Sequence, residues 1–280
     1  MARERDVRLA DGRLLRVHDT GGDSPNALTL LWHHGSPQTG ALLDPLVEAA
    51  AARGIRLVSY GRPGYGGSSP HRGRAVASAA SDVARIADAL GLGRFAVMGA
   101  SGGGPHALAC AALLPDRILG AVSIAGLAPF TESFDWYAGM VTDGALRAAA
   151  AGREARERHA ATDEFDEDSF IAADWAALRG AWASLAADAG RAGAAGVDGL
   201  VDDDVAFAAP WGFEVSEIDV PVLIVHGGRD RVVPPSHAHW LVQHCPSSEL
   251  WLRPRDGHVS ILEAGPLAMD WLRAEGRDGP

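Results

Sequence analysis

Three short segments of the 280-residue chain carry side chains that can act as nucleophile, base and carboxylate. Gly99-Ala100-Ser101-Gly102-Gly103 fits G-x-S-x-G and follows the apolar run Phe95-Ala96-Val97-Met98. His226-Gly227-Gly228-Arg229-Asp230 presents Asp230, and Asp256-Gly257-His258 presents His258, each just beyond another apolar run. A serine hydroxyl is a poor nucleophile at its own pKa. An adjacent imidazole can take its proton, and a carboxylate can fix the imidazole tautomer and steady its cation. The order Ser101, Asp230, His258 is the one expected when the nucleophile sits on a sharp strand-to-helix turn. That turn also explains the glycines. A serine at its apex takes strained dihedrals, and only small neighbours let strand and helix backbones come so close. The helix N-terminus beneath it supplies backbone N–H groups for developing negative charge.

Other residues compete for these roles. His106, His237 and His239 fall on helix-like stretches, and His226 and His34 each precede a glycine in a loop-shaping position. Asp256 lies only two residues before His258 and would have to fold back to reach its ring. The run Leu28 to Trp32 ends in His33-His34-Gly35-Ser36-Pro37, where a glycine permits close backbone approach. The N–H of Ser36 is therefore expected to join that of Gly102 in an oxyanion hole, where one donor is typically worth ~2.7–4 kcal/mol.

The elements that must position these groups can be read from the apolar pattern. Val7 to Leu9 and Leu14 to His18, joined by Asp11-Gly12, predict a hairpin. Continuous apolar runs follow at Leu28 to Trp32, Ile55 to Ser59, Phe95 to Met98, Ile118 to Ile124, Val220 to Val225 and Glu249 to Leu252. Such runs fit strands buried on both faces of a parallel sheet. Helical stretches at Ala41 to Arg53, Val76 to Leu90 and Pro105 to Leu113 alternate with them, so the fold class is α/β with helices on both sheet faces. The alternation stops between Pro129 and Phe213. This stretch holds eleven of the eighteen aromatic residues, and sixteen acidic residues against six arginines. It predicts an amphipathic helical insertion with a solvated acidic face and an aromatic underside. The domains expected are a core of residues 1–128 and 214–280 and a helical cap of residues 129–213. Phe134, Trp136, Tyr137, Trp182 and Trp211 from the insertion, with His34, Gly35 and Val259 near the triad, are the expected substrate pocket.

Composition excludes several chemistries. All 25 basic residues are arginine, so a lysine Schiff base, a Ser-Lys dyad and a P-loop lysine are impossible. A net charge of −11 argues against nucleic acid. Cys110 and Cys245 lack metal-ligand spacing and read as reduced structural residues; no metal or cofactor is expected. The charged N-terminus lacks a signal-peptide core, and no apolar run is long enough to span a bilayer, so a cytoplasmic protein with a small-molecule substrate is expected. Oligomeric state is not encoded in any of these features.

Taken together, HHGSP, GRPGYGGSS at residues 61–69, GASGGG, HGGRD and DGH resemble the α/β-hydrolase superfamily over nearly the whole chain. The resemblance implies an eight-stranded, mostly parallel sheet with a helical cap inserted after the sixth strand. It also implies Ser101, Asp230 and His258 as the triad, and the amides of Ser36 and Gly102 as the oxyanion hole. One departure is Gly61, where family members usually carry an acidic residue, which leaves the setting of Arg62 and Tyr65 open. Epoxide hydrolases and haloalkane dehalogenases place an aspartate where Ser101 stands, and proline iminopeptidases usually have a tryptophan in place of Gly102. The leading expectation is hydrolysis of an ester, thioester or lactone with an apolar or aromatic portion. Carbon–carbon bond hydrolysis and an iminopeptidase-like activity are alternatives. A slow-turnover ligand sensor is the alternative from another class.

Overall fold

The computed structural model describes residues 3–22, 27–132 and 134–278. Asp11-Gly12 turns the chain, with Gly12 at φ 88°, and β1 (Arg3–Arg8) pairs antiparallel with β2 (Leu14–Asp19). The alternation then begins with β3 (Thr29–His33), α1 (Asp44–Ala52), β4 (Arg56–Tyr60), α2 (Ser78–Leu90), β5 (Phe95–Ala100), α3 (Gly103–Leu113) and β6 (Ile118–Ile124). Five helices follow without an intervening strand: α4 (Gly144–Ala150), α5 (Arg153–Ala160), α6 (Ala172–Arg179), α7 (Ala183–Ala194) and α8 (Asp198–Phe207). The sheet resumes with β7 (Val222–Gly227), α9 (Ser236–His244), β8 (Ser248–Arg253) and α10 (Gly265–Asp278).

Local chemistry sets the boundaries. The expected helix from Ala41 starts instead at Asp44, because Pro45 has the fixed φ that suits a first turn and lacks the N–H a preceding turn would need. Gly91 ends α2 in the left-handed region at φ 64°, a cap that an L side chain would strain.

The eight strands lie in the order β1-β2-β4-β3-β5-β6-β7-β8, and every pair from β4 to β8 is parallel. Successive side chains of β3 enter opposite cores. Leu30 and Trp32 pack with Leu46 of α1 and Met269 of α10, while Leu31 packs in the core that holds Val83 of α2, Leu108 of α3 and Leu241 of α9. Burial on both faces is why these strands read as unbroken apolar runs. The last strand differs. Its pattern of half-buried and exposed residues marks β8 as the sheet edge rather than a fully buried strand. Strand order reverses at β3, with β4 on one side and β5 on the other, which opens a crevice beyond their carboxyl ends. Cys110 in α3 and Cys245, just past α9, are buried free thiols. Among the described residues no helix is long and apolar enough to cross a membrane, and no group of three or more His, Cys, Asp or Glu could hold a metal ion.

Candidate active site

The crevice at the strand-order reversal is where β5 delivers Ser101. The strand ends at Ala100 and α3 starts at Gly103, so the chain reverses within two residues. Ser101 takes φ 52°, one of two non-glycine residues with positive φ among those described. The surrounding glycines have no room for a side chain. A Cβ on Gly99 would overlap the carbonyl of Gly103, one on Gly103 would overlap the His33 carbonyl, and one on Gly104 would overlap Ser123 Oγ. Backbone atoms cannot yield as a side-chain tip can, so Gly103→Ala should lower stability by about 1–3 kcal/mol. Equilibrium urea unfolding measures this, and an unchanged midpoint would contradict the packing.

The other two loops converge on the serine. His258 Nε2 stands 3.0 Å from Ser101 Oγ, and His258 Nδ1 stands 2.7 Å from Asp230 Oδ2. Asp230 is buried, and its Oδ1 accepts the N–H groups of Val232 and Val233, both at 2.9 Å, which locks the carboxylate in place. With Nδ1 donating to Asp230, Nε2 is left to accept from the serine hydroxyl. Burial lowers the basicity of His258, but the charge and hydrogen bond of Asp230 and the charge of Asp174 outweigh it and raise its pKa above the usual imidazole value. His226, 3.6 Å from the same Asp230 oxygen, is driven towards its neutral form by burial, and its Nε2 lies 2.8 Å from the Val233 carbonyl. It supports the loop and does not touch Ser101. Asp256 pairs with Arg253 at 2.6 Å, away from the imidazole.

The loop after β3 lies against the elbow. A Cβ on Gly35 would come within 3.6 Å of Ser101 Cβ, and one on Gly102 would meet Ser36 Oγ at 2.5 Å. The Ser101 N–H is spent on the Ile124 carbonyl at 2.8 Å, whereas those of Ser36 and Gly102 meet no protein acceptor among the described residues. His34 does not line the cavity. It is fully buried; its Nε2 accepts the Arg62 N–H at 3.0 Å, so Nδ1 donates to the Gly35 carbonyl at 2.7 Å and shapes this loop from behind.

Gly61 has a physical reason. A Cβ there would come 2.7 Å from the Tyr65 carbonyl and 2.8 Å from that of Thr39, so no acidic side chain fits. A carboxylate arrives instead from α8. Asp203, fully buried, accepts from Arg62 Nη2 at 2.7 Å, Arg74 Nη2 at 2.6 Å, Tyr65 Oη at 3.0 Å and Ser36 Oγ at 2.5 Å. Arg62 also donates to the carbonyl of His34 and, at 2.8 Å, to Ser36 Oγ. Arg62 and Tyr65 thus hold the Ser36 loop from beneath rather than lining the cavity.

The cavity that opens on Ser101 has a volume of about 660 Å³. Gly35, Ser36, Gly102, His258 and Val259 line it near Ser101. Five aromatic residues expected in its wall lie elsewhere. Phe134 stacks on Trp240 and meets His237 edge-on; Trp136 donates to the Ala128 carbonyl; Tyr137 lies under the Arg147 guanidinium. Trp182 fills the core on the Leu30 side, and Trp211 packs on Phe213 and donates to the Phe207 carbonyl. Each is held by a neighbour close in sequence or by the core below, contacts that no periodicity announces. The aromatic wall is built by Phe165, Phe170, Trp175 and Phe207 from the same insertion, with the Phe170 ring parallel to that of His258 at 6.5 Å.

The acidic residues of the insertion are not all solvated either. Asp174, Asp188, Asp202, Asp203 and Asp204 are buried. Asp174 of α6 reaches the loop that carries His258: its Oδ1 accepts the N–H groups of Val259 (2.9 Å) and Ser260 (2.7 Å) and the Ser260 hydroxyl (2.8 Å). Its Oδ2 accepts the Ile171 N–H at 3.1 Å. The only trace of this role in the chain is an aspartate three residues beyond Ile171 in a segment read as solvated. Asp174→Asn keeps the shape and one acceptor but removes a charge that favours the imidazolium. The acid limb of the kcat/KM–pH profile should start above the ordinary imidazole value in the wild type and move to lower pH in the variant. An unmoved limb would mean that Asp174 only ties the loop.

With fold and site in view, the family model described as alpha/beta hydrolase fold matches residues 29–265, and the chain belongs to that family. The chain is 30% identical to a pimeloyl-[acyl-carrier protein] methyl ester esterase of Nitrosomonas europaea, over 87% of this chain and 92% of the esterase. It is 31% identical to a 2-hydroxy-6-oxononadienedioate/2-hydroxy-6-oxononatrienedioate hydrolase of Burkholderia vietnamiensis, over 91% and 88% of the two chains. Among solved structures it resembles a thermophilic esterase from Thermogutta terrifontis, with a TM-score of 0.73, 20% identity and 99% of each chain covered, a likeness of fold alone.

Proposed function

We propose that the protein is a serine hydrolase that cleaves a carboxylic ester, thioester or lactone through an acyl-enzyme. The observation that carries this reading is the unbroken line from Asp230 through His258 to Ser101, at 2.7 and 3.0 Å, opening on the cavity. In the first half-reaction Ser101 Oγ attacks the acyl carbon while His258 Nε2 takes its proton; the carbonyl oxygen becomes anionic between the N–H groups of Ser36 and Gly102. His258 then protonates the leaving alcohol or thiol. Water enters, gives a proton to His258 and adds to the acyl carbon; the acyl–Oγ bond then breaks, His258 returns the proton to Ser101 Oγ, and the acid leaves. Residues 129–213 act as a cap whose aromatic and aliphatic side chains hold an apolar portion of a small-molecule substrate.

Four of the five charged residues lining the cavity apart from His258 are acidic: Asp163, Glu164, Asp166 and Asp204, with Arg156 the exception. That balance favours an ester over a dianionic dioate of the kind named for the Burkholderia relative. Steady-state hydrolysis of short-chain p-nitrophenyl esters tests the reading. Sustained multiple turnover supports a hydrolase; a single stoichiometric burst followed by none would point to a ligand sensor on the same fold.

A further inference from the structure

The face of α8 that meets the cavity carries Leu200, Asp204 and Phe207, spaced four and three residues apart as one helical stripe. Phe207 touches the nucleophile elbow: a Cβ on Gly102 would lie 3.1 Å from its Cζ. Asp204 stands three residues earlier, roughly 4.5 Å further along the helix axis. It is 7% exposed and lines the cavity. Oδ2 accepts from Arg156 Nε at 2.7 Å, while among the described residues no donor reaches Oδ1. Arg156 is itself shared with Asp163 at 3.6 Å, and Glu164 and Asp166 add negative charge to the lining. The cavity therefore has a carboxylate oxygen to spare inside an apolar wall.

We propose that Asp204 forms a polar subsite of the cavity that takes a protonated amine of the ligand, and so sets specificity. The proposal rests on the cavity being the substrate site of the hydrolase reading. A desolvated ammonium donates a charge-assisted hydrogen bond to Oδ1, and its charge is complementary to the rest of the lining. A carboxylate ligand would meet the same lining as repulsion. Burial pushes the Asp204 carboxyl up to about 6, against the pull of Arg156 on α5 and reinforced by the nearby charges of Asp203 and Asp163. The Asp204 carboxyl is thus ionised above about pH 6, and its hold on a cation weakens as the pH falls through that value.

Calorimetric titration of Ser101→Ala protein with hexylammonium, 1-hexanol and hexanoate tests the subsite without any turnover. At pH 7.5 hexylammonium should bind about tenfold more tightly than hexanol, with hexanoate weakest. Adding Asp204→Asn should remove that preference while hexanol binds as before, and Asp204→Glu, which keeps the charge, should retain part of it. Lowering the pH to about 5 should weaken hexylammonium more with Asp204 present than with Asn, which separates this carboxyl from protonation of His258. Equal affinity for the amine and the alcohol, a preference for hexanoate, or an ammonium preference that survives Asp204→Asn would each overturn the proposal. Because binding is read without chemistry, failure of ester hydrolysis would sink the hydrolase reading and not this one.

Discussion

Ser101→Ala should lower kcat for ester hydrolysis by about 10⁶, the loss seen when the serine of the analogous subtilisin triad is removed. The loss is large because the three groups act as a unit. Without Oγ, the proton that His258 is placed to accept does not exist, and no acyl-enzyme forms. The fold should be untouched, since alanine removes one oxygen from a site bounded by Gly35, Gly102 and Leu127, and its carbonyl still accepts the Gly104 N–H at 2.9 Å. A thermal unfolding curve that overlays the wild type, together with lost labelling by a fluorophosphonate, identifies the defect as chemical. Residual hydrolysis of about 10³ to 10⁴ over water can remain from the oxyanion hole and binding alone. Activity near the wild-type rate would remove Ser101 from the mechanism.

Asp203→Asn should damage both stability and rate. In the native protein burial alone would raise this carboxyl, yet the Arg62 and Arg74 guanidiniums, with the neighbouring His106, hold it well below the usual carboxylate range. Substitution leaves the fully buried Arg62 without its counter-charge and leaves buried Arg74 with Asp202 alone, 3.1 Å away, and breaking a buried pair costs about 3–5 kcal/mol. It also weakens the 2.5 Å anchor of the Ser36 hydroxyl, leaving its contact with Arg62, so the proposed oxyanion donor is held less firmly. Loss of such a donor costs about 10²–10³ in kcat. Urea unfolding reads the first effect. The second is read at low temperature on folded protein, as a fall in kcat with KM little changed. The sign with pH follows from the depressed pKa: the stabilisation is fully present above the unfolded carboxyl pKa and is lost as the pH falls towards the folded one. Unchanged stability and unchanged kcat would show that the ion cluster is dispensable.

The relation between chain and molecule differs from one element to the next. Ser101, Asp230 and His258 were legible because each lies just past a strand end, beside glycines that only a tight turn requires. Their order along the chain matched the order of the strands. The sheet was legible because burial on both faces writes itself as unbroken apolar runs. The insertion was different. Its aromatic and acidic residues could be counted, and an apolar cavity wall was expected, but which ones faced inward was not written in the pattern. Trp136 and Trp182 resemble Phe170 and Phe207 in composition, yet the first two meet backbone and core while the second two meet the cavity.

What the sequence determined by itself, then, was the strand-and-turn framework and the three residues at its loops, since strand burial and tight turns are local constraints on residue type. Tertiary structure alone decided the partners of Asp174, Asp203 and Asp204. A buried aspartate and a solvated one are the same letter, and the difference is made by donors brought from afar: Val259 and Ser260 for Asp174, Arg62, Arg74 and Ser36 for Asp203, and Arg156 for Asp204. Except for Arg156, these donors come from loops that follow β3, β4 and β8, far along the chain. Only the docking of the insertion over the sheet gives these charges the hydrogen bonds that make their burial affordable.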